Sequence, residues 1–272
     1  MRGSEKDMAE AANSPLDSVS IRGLRTRIVG SVVNFHGQVT STNDLARELA
    51  KADCNEGSVV VASSQTEGRG RFDRKWTSAE GGLYLSVVLR PELTMDEVTP
   101  LPLLAGLAVS KAISTTSLIE TNLKWPNDVL IDGSKVGGVL MESSSVGERM
   151  EWVVLGAGMN VNNSIAGSMG ESSMDATSLI EYTGKTQDLG EMLRNTLYFL
   201  DLIYVGFLQG SITSLLEQWT ARSSTVGRRV RVEQQNDTIR GRALGVDERG
   251  CLLVKSGPEI IRITSGDCFH LR

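Results

Sequence analysis

One stretch of the chain is crowded with groups that bind anions. In Gln65-Thr66-Glu67-Gly68-Arg69-Gly70-Arg71-Phe72-Asp73-Arg74-Lys75-Trp76, the guanidinium groups of Arg69, Arg71 and Arg74 and the ammonium of Lys75 lie close together. Gly68 and Gly70 admit backbone conformations that other residues disfavour, and they let N–H groups approach a ligand. Guanidinium forks match phosphate and carboxylate oxygens through paired, charge-assisted hydrogen bonds. Trp76 adds a flat face on which a purine can stack. In isolation such a loop is more often a solvated basic loop, so its meaning depends on what accompanies it.

Two further segments accompany it. Lys124-Trp125-Pro126-Asn127-Asp128 sets a cation, an amide and a carboxylate at a strand end, and Lys135 follows across a hairpin, just before Gly137-Gly138. Glycine weakens a strand interior unless something must come close, so a lysine beside that pair is positioned to meet an anion. Alone, Lys135 reads as a surface lysine and Asp128 as a turn carboxylate. Gly156-Ala157-Gly158-Met159-Asn160-Val161-Asn162 has the first two glycines of a dinucleotide fingerprint but Val161 at the third position. No helix with a ribose-binding acid follows, which argues against that mode of binding. Walker A is absent, and with only His36 and His270 present no Ser-His-Asp or Cys-His pairing can be assembled.

The elements that must position these groups read as α+β. Ile28–Phe35 is expected to be a strand. Ser41-Thr42-Asn43-Asp44 has the form of a capping box, which predicts a helix from about Thr42 to Ala52. Strands are expected at Ser58–Ser63, Gly82–Leu89, Asn122–Lys124, Val129–Ile131, Val136–Glu142 and Trp152–Gly156, with Asp132-Gly133 as a hairpin turn. Helices are expected at Leu101–Ser114, Leu189–Leu208 and Ile212–Ala221. After Ser223 the pattern shifts to short strands at Arg228–Glu233, Thr238–Val246, Cys251–Val254 and Ile260–Ile263, separated by Asn236-Asp237, Glu248-Arg249-Gly250 and Ser256-Gly257-Pro258. This predicts a small β-barrel.

Bulk composition sets the frame. The chain has 272 residues, 40% hydrophobic and 22% charged, with a formal charge of −5. That is one main domain plus an appendage, able to bury a core and shape a pocket. The acidic balance gives no electrostatic reason to expect a nucleic-acid partner. Cys54, Cys251 and Cys268 are far apart, which favours free thiols in a reducing compartment. No apolar run reaches membrane-helix length, and the polar, acidic start lacks a signal-peptide core. A cytoplasmic location is expected.

Taken together, STND (41–44), QTEGRGRFDRKWTS (65–78), KWPNDVL (124–130), KVGGVL (135–140) and GAGMNVN (156–162) resemble the biotin–protein ligase family in order and spacing, over roughly Phe35 to Arg272. The resemblance implies a mixed β-sheet catalytic domain flanked by helices, of the class II synthetase-like biotin–lipoate ligase fold, with a small C-terminal SH3-like β-barrel. The implied division is 1–27 as an N-terminal extension, flexible in part, 28–222 as the catalytic domain and 223–272 as the barrel. It implies ATP-dependent formation of biotinyl-5′-AMP, then transfer of biotin to a lysine of a biotin-carrier domain of a carboxylase or decarboxylase.

It also implies roles. Ser41, Thr42, Asn43 and Gln65 line the biotin end; Gly68, Arg69, Gly70 and Arg71 belong to a loop closing over biotin and its adenylate; Gly138 lies against the acyl chain. Lys135 holds carboxylate and α-phosphate, with Arg69 and Arg71 sharing the catalytic work. On the ATP side stand Arg71, Arg74, Trp76, Asn127, Asp128 and Asn160, with Asp128 at the Mg²⁺ edge. A homodimer is implied, and no nucleic-acid or membrane partner. The chain departs from the family pattern at Asp73, often glycine, at Ala79, often proline, and at Thr40, often an acid. A lipoate–protein ligase of the same fold remains a rival reading. So does a biotin-sensing DNA-binding repressor, for which the residues before Phe35 are expected to be too few.

Overall fold

The computed structural model describes residues 16–165, 176–234 and 237–271. The expected loose start up to residue 15 and the turn residue Asn236 lie outside the described residues. Seven strands form a mixed sheet: β1 (Val32–Val39), β2 (Ser58–Gln65), β3 (Leu83–Leu89), β4 (Asn122–Lys124), β5 (Asp128–Ile131), β6 (Ser134–Val146) and β7 (Arg149–Met159), in the order β1-β2-β3-β7-β6-β5-β4. β1 and β2 are parallel; the other neighbours are antiparallel. Helix α1 (Thr42–Lys51) covers one face through Ala46 and Ala50, which pack on Val60, Val88 and Val154. The larger core on the other face, with Val59, Val61 and Val87, takes in helix α2 (Leu101–Ser117) and Leu179 of the short α3 (Leu179–Thr183). Helices α4 (Leu189–Leu208) and α5 (Ile212–Ala221) complete it.

Local chemistry explains where elements start. The first strand begins at Val32 rather than Ile28 because the backbone N–H groups of Arg27, Ile28 and Val29 all donate to the buried Asp201 carboxylate on α4, at 2.9, 2.7 and 2.8 Å. A segment whose donors are used there cannot enter the ladder. The expected capping box is not formed: Ser41 has the extended N-cap backbone but no side-chain cap. Asp44 instead pairs with Arg47 and Arg69. At the β5–β6 turn Asp132 and Gly133 both have positive φ, 47° and 87°, the requirement of a type I′ hairpin.

The second sheet is antiparallel, β8 (Arg229–Glu233), β9 (Thr238–Val246), β10 (Leu252–Ser256), β11 (Glu259–Ile263) and β12 (Asp267–His270), ordered β11-β10-β9-β8-β12 and open between β11 and β12. Its apolar face, with Val230, Val232, Leu252 and Val254, continues the main core without a break. Trp125 pins the two sheets: its ring N–H donates to the Gly250 carbonyl at 3.0 Å and its backbone N–H to Thr225 Oγ1 at 3.1 Å. His270 Nε2 lies 3.1 Å from the same hydroxyl. Arg249 pairs with Asp96 across the same seam.

Replacing Asp201 with alanine leaves those backbone donors unpaired and is expected to lower unfolding free energy by about 2–4 kcal/mol in denaturant titration. Burial, with Lys124 and Arg228 nearby, depresses the His270 imidazole from 6.5 to about 4. The folded state therefore resists protonation at this ring, and the contribution of His270 to stability is full above pH 6.5 and lost as pH falls towards about 4. His270→Gln is expected to flatten that acid loss when unfolding midpoints are measured against pH; an unchanged slope contradicts the assignment.

Candidate active site

The cavity floor is set by strand register. Residues directly opposite one another share a face, so Tyr84, Gly158, Gly138 and Asp128 form one row across β3, β7, β6 and β5, and Ser86, Gly156 and Leu140 form the next. Lys135 and Gly138 are three apart and would face opposite ways on a regular strand. A register shift between Val129 and Leu130 sets Lys135 opposite Leu130 and Gly138 opposite Asp128, which brings both to the floor. Lys135 Nζ then lies 2.5 Å from Asp128 Oδ1, and 5.1 Å from the centre of the Trp76 ring.

Glycines make this crowding feasible. A Cβ on Gly158 would lie 2.6 Å from Trp76 Nε1, and one on Gly156 closer still to Asn43 Oδ1. At Gly138 it would meet Lys135 Cε at 3.1 Å. The Gly-Ala-Gly pattern thus clears the sheet face for Asn43 and Trp76. It is not a nucleotide fingerprint.

At one end stands a closed polar network. Gln65 Oε1 accepts from the Thr42 backbone N–H at 2.8 Å and from its hydroxyl at 3.1 Å, while Gln65 Nε2 donates to Ser78 Oγ at 2.7 Å. The fully buried Ser86 Oγ lies 2.8 Å from Thr42 Oγ1 and 2.6 Å from Asn43 Oδ1. Asn43 Nδ2 donates to Glu142 at 2.7 Å, and Arg69 joins Asp44 at 2.6 Å and Glu142 at 3.5 Å. At the other end the loop reaches the second sheet: Arg71 donates to the Gly266 carbonyl at 3.2 Å, and Arg74 pairs with Asp267. Desolvation lowers the Arg71 pKa from its ordinary value. Phe72 and Asp73 between them hold φ of 55° each, a left-handed backbone that glycine adopts without strain.

These walls enclose about 800 Å³. Ser41, Thr42, Asn43, Gln65, Arg69, Gly70, Arg71, Arg74, Trp76, Asn127, Asp128, Lys135, Gly138 and Asn160, all anticipated, line one cavity. Gly68 does not; it packs behind the wall, where a Cβ would strike Ser78 and Trp76. Asn127 and Asn160 spend their amides on the protein itself, Asn127 donating to the Val139 carbonyl at 2.6 Å and Asn160 to that of Thr177 at 3.2 Å. Asp267, Cys268 and Phe269 also line the cavity and were not foreseen, nor were Ser86 and Glu142 beneath the polar end. Burial raises the Cys268 thiol to about 11, which leaves it protonated and inert. Lining cations (Arg69, Arg71, Arg74, Lys75, Lys124, Lys135) outnumber the carboxylates of Asp128 and Asp267. An acidic chain has gathered positive charge at one place, which suits an anionic ligand.

Comparison with known proteins gives the context. Residues 36–160 match the model of the Biotin/lipoate A/B protein ligase family, and 225–271 that of the Biotin protein ligase C terminal domain. A biotin--[acetyl-CoA-carboxylase] ligase of Mycobacterium tuberculosis is 34% identical over 95% of this chain and 97% of its own length. The bifunctional ligase/repressor BirA of Bacillus subtilis is 35% identical over 90% of this chain and 76% of its own. The structure of a biotin protein ligase from Aquifex aeolicus in complex with biotin and ATP superposes with a TM-score of 0.76, at 33% identity, covering 89% of this chain and 99% of that one.

Gly156→Ala is expected to push Asn43 off Glu142 and to weaken binding of the ligand at the polar end at least about tenfold by calorimetry, with a smaller effect on the fold. Unchanged affinity would show that Asn43 does not need the space.

Proposed function

This chain belongs to the biotin protein ligase family and is an ATP-dependent biotin–protein ligase, and we propose that the cavity on the glycine floor carries both of its half-reactions. The observation that carries this reading is the meeting of Lys135 with Asp128 and Trp76 on that floor, between the polar network and the arginine loop. In the first step a carboxylate oxygen of biotin attacks the α-phosphorus of ATP, giving biotinyl-5′-AMP and pyrophosphate. In the second, the amine of an acceptor lysine attacks the mixed anhydride, forming the amide and releasing AMP. Family members act on biotin-carrier domains of carboxylases, and the acceptor here is proposed to be one.

Both reactants of the first step are anions. Lys135, Arg69 and Arg71 offset their repulsion and stabilise charge at the α-phosphate. Ser41, Thr42, Asn43 and Gln65 are assigned to the ureido end, where existing hydrogen bonds hold Thr42, Asn43 and Gln65 in place before ligand arrives. Trp76 stacks with the adenine. Arg74 moves from Asp267 to phosphate oxygens. Asn127 and Asn160 shape the ATP side through their backbone partners.

Magnesium fits this site at one residue. Asp128 lies on the cavity floor with its buried Oδ1 held by the Lys135 ammonium at 2.5 Å, and the lone pairs which that ion pair leaves on the carboxylate are what a cation would use. Among the described residues no cluster of three acidic, His or Cys ligands exists, as suits an ion that arrives on the triphosphate. When bound, the ion neutralises phosphate charge. The proposal includes the division at residues 222/223 between catalytic unit and C-terminal sheet, a homodimer, and a cytoplasmic location in keeping with three free thiols. No helix among the described residues is long and apolar enough to cross a membrane.

Incubation with biotin, Mg-ATP and a purified biotin-carrier domain is expected to add the mass of biotin to the acceptor; lipoate in its place gives no gain. Lys135→Ala is expected to cut ATP–pyrophosphate exchange by at least about a hundredfold. Near-normal exchange would assign the charge to another cation. Trp76→Ala should raise the apparent ATP constant more than that of biotin, and the reverse order would contradict the stacking role.

A further inference from the structure

The outer face of the C-terminal sheet carries an arrangement that folding alone does not favour. Arg229 on β8 stands opposite Arg242 on β9, which stands opposite Lys255 on β10; in the neighbouring row Arg231 stands opposite Arg240. Adjacent strands are about 4.8 Å apart, and like charges directly opposite one another destabilise a sheet. Little within the chain offsets them. Arg231 meets Glu233 at 3.1 Å and Arg242 donates to the Gly227 carbonyl, while Arg229, Arg240 and Lys255 make no ion pair among the described residues. All but Arg231 are exposed, on a chain whose formal charge is −5.

This cationic face runs to the mouth of the active site. Phe269 on β12 lies opposite Arg231, whose guanidinium carbon is 4.7 Å from the centre of its ring. Phe269 also lines the cavity. A macromolecule held on the face therefore extends to the cavity edge, and the enzyme has one macromolecular substrate that must do so, the acceptor that delivers a lysine. Nucleic acid or an anionic membrane would satisfy the charge but would have no reason to abut the cavity. We propose that the acceptor domain docks on this face through acidic side chains beside its target lysine, with Arg229, Arg231, Arg240, Arg242 and Lys255 as the receiving surface.

The proposal rests on the active-site reading above and is testable apart from it. Arg240→Glu/Arg242→Glu in the full chain reverses two charges that do not line the cavity. The introduced carboxylates stand opposite Arg231 and Arg229 in the strand register, where they replace repulsion with attraction. The double variant is therefore expected to melt no lower than the parent.

Binding of a labelled carrier domain, read by fluorescence anisotropy, is expected to weaken at least about tenfold and to lose much of its salt dependence. In turnover the acceptor KM should rise, while biotinyl-AMP formation without acceptor stays within about twofold. Unchanged carrier binding with the parental salt dependence would overturn the proposal. So would an equal loss of adenylate formation, or a variant that loses affinity for duplex DNA or phosphatidylserine vesicles while its carrier binding is intact. Failure to form adenylate in the parent would count against the active-site reading alone, because carrier binding is measured without turnover.

Discussion

The active-site geometry hangs on one irregularity of hydrogen bonding, the extra residue that β6 carries opposite Val129 and Leu130. Lys135 and Gly138 must share a face if a cation is to stand over bare backbone, and a strand of strict alternation would send them apart. The type I′ turn at Asp132-Gly133 fixes where the hairpin begins, and the bulge then resets the alternation. Gly138, Gly156 and Gly158 on the reset register leave space above the sheet, and the long side chains of Lys135, Asn43 and Trp76 occupy it. A single-residue slip would exchange this floor for the core side chains on the opposite face.

The two ends of the cavity are built on different principles. Around Gln65 the polar groups satisfy one another through Thr42, Ser86, Asn43, Glu142 and Arg69, so their orientation costs a ligand little conformational entropy. Around Arg71 and Arg74 the charges are held by groups of the second sheet. Those contacts are exposed on the Arg74 side, where ion pairs contribute little and exchange readily. A rigid recognition end beside a transferable charged end matches a reaction in which one small acid is selected and a polyphosphate then has to enter and leave.

Much of this was legible in the sequence, for identifiable reasons. Long apolar-periodic segments gave α4 and α5 their observed bounds, and Asp-Gly gave the hairpin. The five motifs named nearly all of the cavity-lining residues. What escaped was set by tertiary pairing. Strand β1 starts late because Asp201, distant in sequence, takes the donors of residues 27–29. Asp44 fits a capping box by spacing but finds Arg47 and Arg69 instead. Strand β12 has four residues after Ser265-Gly266, too few for alternation to register, so Asp267 and Phe269 gave no signal. Ser86 and Glu142 lie inside apolar strand patterns, and only the register of β3, β7 and β6 brings them beneath Asn43. Asp73 stood out as a departure where glycine is common, and its positive φ gives the reason for that preference.

Strand β12 has a consequence for the order in which the molecule becomes competent. Synthesis runs from the N-terminus, and β1 to β7 with their helices emerge long before residues 267–270. Yet the contacts that join Arg71 and Arg74 to the second sheet are on Gly266 and Asp267, and Cys268 and Phe269 form part of the cavity wall. A nascent chain that has folded its main sheet thus presents an open floor and a loop fastened at its Arg69 end but not at Arg71 and Arg74. The site becomes enclosed late in translation, when the second sheet zips β12 onto β8, so an unfinished chain would have little means of holding a reactive intermediate away from water.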